Sequence, residues 1–199
     1  MRVASVLTVL VLSSPALAEP PGADAPPAAD DHAVALAVEV GAVGGGGATP
    51  GGLRVGGRYL YRMAERDWFD GGVAFTFGRP GAGCGRVPPD GMACAHGVAD
   101  GFAGDLSLGV RRELGRDPAF VPFVRAAGFA RVLRFASDDV TGVAAGGELG
   151  AGLRARVGDD LSLVGAATAF AGLARLGNDV GGAGQLGLII VGGAEFRMR

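Results

Sequence analysis

Apolar and polar residues alternate one for one along segments of about ten residues or more, and this pattern constrains the fold most. In 53–63, LRVGGRYLYRM, one face carries Leu53, Val55, Tyr59, Tyr61 and Met63, and the other carries Arg54, Arg58, Leu60 and Arg62. In 102–113, Phe102, Leu106, Leu108 and Val110 oppose Asp105, Ser107, Arg111 and Glu113. In 143–157, Val143, Leu149, Leu153 and Val157 oppose Glu148, Arg154 and Arg156. A period of two is the signature of an extended strand with two unlike faces. Long helices are disfavoured, because 38 glycines are spread through the 199 residues and each weakens a helix interior.

Further segments complete the set. Residues 33–43 alternate around Glu39. Residues 69–78 set Phe69, Val73, Phe75 and Phe77 against Asp70 and Thr76. Residues 185–198 set Leu186, Leu188, Ile190, Phe196 and Met198 against Gln185, Glu195 and Arg197. Residues 161–174 alternate weakly. Residues 119–135 give Arg125 and Arg131 the parity of Phe123 and Phe129, which predicts a bulge or a mixed face. The total is eight strands. Short links are expected near 64–67, 114–118 and 158–160, and longer or glycine-rich ones near 44–52, 79–98, 136–142 and 175–184. The glycine runs 44–47 and 181–184 read as flexible turns, because they lack the Lys-Ser/Thr ending of a phosphate loop.

The amino terminus reads as an export signal. Arg2 precedes the apolar run VASVLTVLVL, and Ala16-Leu17-Ala18 is a small-x-small cleavage site. The run is short for a membrane span, which needs about 20 residues. The expected organisation is a signal peptide at 1–18, a disordered Pro/Ala-rich segment at 19–32 and a β-domain at 33–199. A net charge of −2 offers no basis for nucleic-acid binding.

Strand length favours a membrane barrel, since a bilayer needs about 9–11 residues per strand whereas soluble strands run about 5–6. Alternation by itself does not say which face is inside, so a soluble exported β-sandwich or lipocalin-like protein is the alternative. Aromatic placement suggests two girdles: Tyr59, Tyr61, Trp68, Phe69, Phe120 and Phe196 at the short-turn end, and Phe75, Phe77, Phe102 and Phe135 at the other. The fold expected is an all-β, eight-stranded, antiparallel up-and-down transmembrane barrel. On these features residues 33–199 resemble the small bacterial outer-membrane barrels of the OmpA/OmpX/OmpW type. The resemblance implies an outer-membrane location, contact with outer-membrane lipid, a monomer, and a carboxy-terminal strand read by the barrel-assembly machinery. That strand, LGLIIVGGAEFRMR, departs from the family pattern because Arg197, Met198 and Arg199 follow its aromatic Phe196.

Candidate chemistry is sparse. Cys84 and Cys94 are the two cysteines, and an exported chain favours their pairing as a disulfide, worth roughly 2–3 kcal/mol for so short a loop. With His96 they match no compact zinc pattern, so no metal and no cofactor is expected. His96 beside Ser137 or Asp138 would be the only basis for a lipid-modifying enzyme; no nucleophile motif supports it, and the chain reads as non-enzymatic. The main constellation is the polar face: Glu39, Arg54, Arg58, Arg62, Asp105, Arg111, Glu148, Arg154, Arg156 and Glu195. These residues make either a salt-bridged plug or the lining of a solute pore. The plug is preferred, because an eight-stranded barrel is just wide enough for side chains to fill. A structural or surface-interaction role is the corresponding functional expectation.

Overall fold

A computed structural model describes residues 33–78, 84–87, 91–94, 101–115, 119–135, 139–177 and 181–198. The signal peptide and the segment at 19–32, including His32, lie outside the described residues, as do His96, Ser137 and Asp138. The strands are β1 (Val34–Gly47), β2 (Gly52–Arg62), β3 (Asp67–Phe77), β4 (Cys84–Val87), β5 (Gly91–Cys94), β6 (Gly101–Glu113), β7 (Phe120–Phe135), β8 (Val140–Arg156), β9 (Leu161–Leu176) and β10 (Gly181–Met198). Eight of them close into a barrel in the order β1-β10-β9-β8-β7-β6-β3-β2, and β4-β5 is a separate hairpin. Every barrel pairing is antiparallel and joins successive barrel strands, except the closure of β1 on β10. Barrel strands run from 11 to 18 residues, long enough to cross a bilayer.

The alternation holds through each wall, and the structure settles which face is inside. Leu36, Val38 and Val40 point out of β1, whereas Ala35, Ala37 and Glu39 point in. Leu149, Leu173 and Leu186 are 68%, 76% and 65% exposed, while Asp105, Arg131 and Glu148 are 3%, 2% and 3% exposed. The apolar face is therefore outside and the charged face inside. Strand β7 shows no bulge: its register with β8 is continuous from Phe120 to Phe135. Its inner face is mixed, with Phe123, Arg125, Phe129 and Arg131 all buried.

Two sequence expectations need correction. The glycine runs are not turns. Gly44–Gly47 belong to β1 and pair with β10, and Gly181–Gly184 belong to β10 and pair with β9. Within them Gly45 and Gly47 have no room for a Cβ, which would overlap the carbonyl oxygens of Leu186 and Gly184. A Cβ on Gly187, the partner of Gly45, would lie 2.5 Å from the Phe170 ring and overlap the Gly44 carbonyl. Gly146 and Gly172 likewise make room for Phe129, with hypothetical Cβ contacts at 2.7 and 2.9 Å. Inward glycines thus trade side-chain volume for interior phenylalanines. Gly187→Ala is expected to destabilise the barrel by about 1–3 kcal/mol through overpacking, read from the urea midpoint of the refolded protein; an unchanged midpoint would show that Phe170 has room to move.

The girdle is the second correction. Tyr59, Phe69, Phe75, Phe77, Phe102, Phe120 and Phe196 belong to the outer face, and Phe102 stacks on Phe75 at 5.9 Å. Trp68 and Phe135 do not: they are 2% and 0% exposed, inside the barrel. Trp68 shares the parity of inward Asp70, and Phe135 that of inward Arg131.

Candidate functional site

The barrel interior is the candidate site, and it is organised in layers along the axis. Nearest the short turns, Arg111 donates to Glu195 at 2.7 Å, and Arg197 donates to Glu195 at 3.0 Å and to Glu113 at 2.6 Å. The Arg154 Nε lies 3.3 Å from Glu113, and its Nη1 donates to Ser162 at 3.4 Å. Arg111 sits over the Phe123 ring at 3.9 Å, and Arg197 over Trp68 at 4.5 Å. Delocalised guanidinium charge on a ring face is favourable where water is excluded.

At mid-barrel, Arg58 donates to Glu39 at 2.7 Å and to Asp70 at 2.8 Å. Arg125 bridges Asp70 at 3.1 Å and Glu148 at 2.5 Å, and also donates to Ser107 at 3.0 Å. Above this, Asp105 receives Arg131 at 2.5 and 3.1 Å and also pairs with Arg54. Arg54 donates to Thr76 at 3.3 Å. Arg131 lies 5.0 and 4.8 Å from the Phe129 and Phe170 rings. An apolar cluster of Ala48, Leu133, Phe135, Val140, Ala144, Ala174 and Leu176 fills the end beyond.

Seven guanidinium groups therefore meet six carboxylates across the strands. The cavity left at mid-barrel, between Glu39, Arg58, Arg111 and Glu195, is about 10 Å³. That is about the volume one water needs. The interior is a packed polar core.

Of the ten residues expected on the polar face, eight join this core: Glu39, Arg54, Arg58, Asp105, Arg111, Glu148, Arg154 and Glu195. Arg62 and Arg156 do not. Both end their strands and turn to the short links, where Arg62 donates to the Ala64 and Glu65 carbonyls and Arg156 to those of Gly158 and Asp159. Their parity is right but the wall ends beneath them. The expected set omitted Asp70, Glu113, Arg125, Arg131 and Arg197. Asp70, Glu113 and Arg197 alternate onto the polar face, so the signal was present. Arg125 and Arg131 were obscured because they alternate with rings. Arg197, the residue after Phe196, has a place in this interior: its side chain closes the lower layer.

No family model and no curated protein matches the chain. Among solved structures, the crystal structure of Neisserial surface protein A (NspA) aligns with a TM-score of 0.54 and 9% identity, covering 83% of this chain and 96% of that one. The chain has the fold of a small outer-membrane β-barrel. A major outer membrane protein from Thermus thermophilus aligns at a TM-score of 0.41 and 17% identity, over 83% of this chain and 99% of that one. A de novo designed transmembrane β-barrel aligns at 0.41 and 16%, over 82% and 95%. Among the described residues no group of metal-ligating side chains occurs in this barrel.

Proposed function

We propose that this chain is an exported, monomeric, closed outer-membrane barrel with a structural or surface-interaction role and no enzymatic activity. One observation carries the reading: the wall is apolar outside and charged inside. Water is a poor outer solvent for such a wall, because every barrel strand exposes large apolar side chains, well beyond the singly scattered apolar residues normal on a soluble surface. A sandwich or lipocalin places its faces the other way round. The filled interior supports a closed barrel over a solute channel. On this reading residues 1–18 direct export and are removed, and the assembly machinery engages β10.

Fractionation tests the location. The expected result is a heat-modifiable band in detergent-extracted outer membrane, with a mature chain beginning at Glu19. A freely soluble native protein would refute it. In planar bilayers the purified barrel should show no steady conductance, and regular open steps would instead establish a pore.

The hairpin adds a second proposal. The backbone register sets Cys84 directly opposite Cys94. Antiparallel partners lie about 4.5–5.5 Å apart at Cα, inside the range of about 4.4–6.8 Å for a disulfide. The exported protein should take up no maleimide under denaturing, non-reducing conditions and two equivalents after reduction. Two equivalents before reduction would exclude the bond.

A further inference from the structure

In the lower layer of the interior, buried donors outnumber the acceptors they reach. Among the described residues, five buried side-chain polar atoms make no hydrogen bond: Trp68 Nε1, Arg111 Nε and Nη2, Arg154 Nε and Glu148 Oε1. Four of the five are N–H donors, and all four belong to this layer. Trp68 and Arg111 are register partners across β3 and β6. Arg111 Nη2 and Arg154 Nε lie 3.7 and 3.3 Å from the same Glu113 oxygen, so they are no more than 7.0 Å apart, the sum of those distances. Neither is aligned to donate to it. Two N–H groups that close can converge on one small acceptor, roughly 3 Å from each.

Charge points the same way. The lower layer sets three guanidiniums, Arg111, Arg154 and Arg197, against two carboxylates, Glu113 and Glu195. The middle layer sets two against three, and the upper layer two against one. One positive charge is left over in the interior, and a guanidinium cannot shed its proton. The orphaned donors are all in the lower layer, so the unmet demand lies there. A water would accept from them but would bring donors of its own and leave the charge. An anion only accepts, and it cancels the charge. On the short links, Asp67 and Asp159 pair elsewhere, with Arg112 and Arg156. Arg197 covers the layer from the link side, with 25% of its side chain exposed. The apolar cluster around Leu133 and Phe135 fills the far end. An ion arriving from the links need displace only one flexible side chain.

We infer that the lower layer binds a halide-sized monovalent anion between Arg111 and Arg154, in the layer that Trp68 occupies. The inference goes beyond the structural role above, and it holds whether the wall faces lipid or detergent. Size and charge both set the class of ligand. The Phe123 ring lies 3.9 Å from the Arg111 guanidinium and shuts one of its faces, leaving the Nε and Nη2 edge for the ion. A divalent anion would overshoot a single surplus charge.

Trp68, the one tryptophan, is the reporter, because iodide quenches an indole it touches. The test uses the full-length mature protein refolded in neutral detergent and titrated with iodide against gluconate at constant ionic strength. Quenching should rise hyperbolically and saturate. Chloride at about ten times its own dissociation constant should weaken the iodide titration about tenfold, as one shared site requires. The urea midpoint should also rise when chloride replaces gluconate. Arg154→Gln should abolish both effects, while Arg156→Gln, on the same strand but turned to the link, should leave them. Saturation indifferent to chloride or to Arg154→Gln, or a midpoint that chloride does not move, would overturn the site. Saturation that appears only in Asp117→Asn or Asp160→Asn would show that a link carboxylate already serves these donors, and would overturn it as well. A heat-modifiable band confirms that each variant is folded.

Discussion

Asp105→Ala is expected to cost the barrel about 3–5 kcal/mol, because it strips the shared carboxylate from two buried guanidiniums at once. Arg54 and Arg131 both depend on Asp105, and the Arg131 side chain is 1% exposed. Neither can reach water without leaving its layer. Urea unfolding of the barrel refolded in vesicles measures the loss, and Trp68, the one tryptophan, reports it from inside the wall. A companion variant separates charge from packing. Replacing the trio together by Arg54→Met, Asp105→Leu and Arg131→Met removes every charge of the layer, and such replacements are typically neutral or stabilising. Recovery of most of the loss is the expected result. A midpoint as low as that of Asp105→Ala alone would show that shape, not pairing, holds the layer.

Leu149→Arg separates membrane from water as the outer solvent. Leu149 sits midway along β8 with its side chain outward, opposite Ala126 on β7 and Ala169 on β9. In lipid an arginine at this height should cost about 2–4 kcal/mol, falling to about 0–1 near the interface, so Phe120→Arg at the rim serves as the low-cost comparison. In water both would be ordinary surface changes, within about 0.5 kcal/mol. Equal and negligible effects at the two heights in vesicles would remove the bilayer from the account of this wall.

Much of this architecture was legible because parity is cheap to read and hard to counterfeit. Glu39, Asp105, Glu148 and Glu195 declare the inner face by alternating with leucines, valines and isoleucines. The sign of that face was not legible. A strand with charges on one side is the same string whether those charges meet water or each other, and closure of β1 on β10 decides the matter. Height along the axis was less readable still. Arg62 and Arg156 have interior parity but sit where the wall stops, and link carbonyls capture them. Arg125 and Arg131 were hidden for another reason: simple patterning separates rings from charges, whereas a narrow dry interior lets a guanidinium lie on a phenylalanine. The glycine runs misled because glycine marks both turns and tight packing, and only the carbonyls of Leu186 and Gly184 distinguish these for Gly45 and Gly47.

The lower layer also bears on the order of assembly. Its carboxylate Glu195 and its capping Arg197 both come from β10, the last barrel strand to leave the exporting machinery. Until that strand docks, Arg111 and Arg154 share the single carboxylate of Glu113. Docking of the final strand adds one charge of each sign, so the layer's net charge is unchanged, but Arg111 and Arg154 gain a second carboxylate, Glu195, at 2.7 and 3.9 Å. Pairing across the seam and satisfaction of the interior are then one event, which penalises stalled intermediates and favours a wall that closes completely.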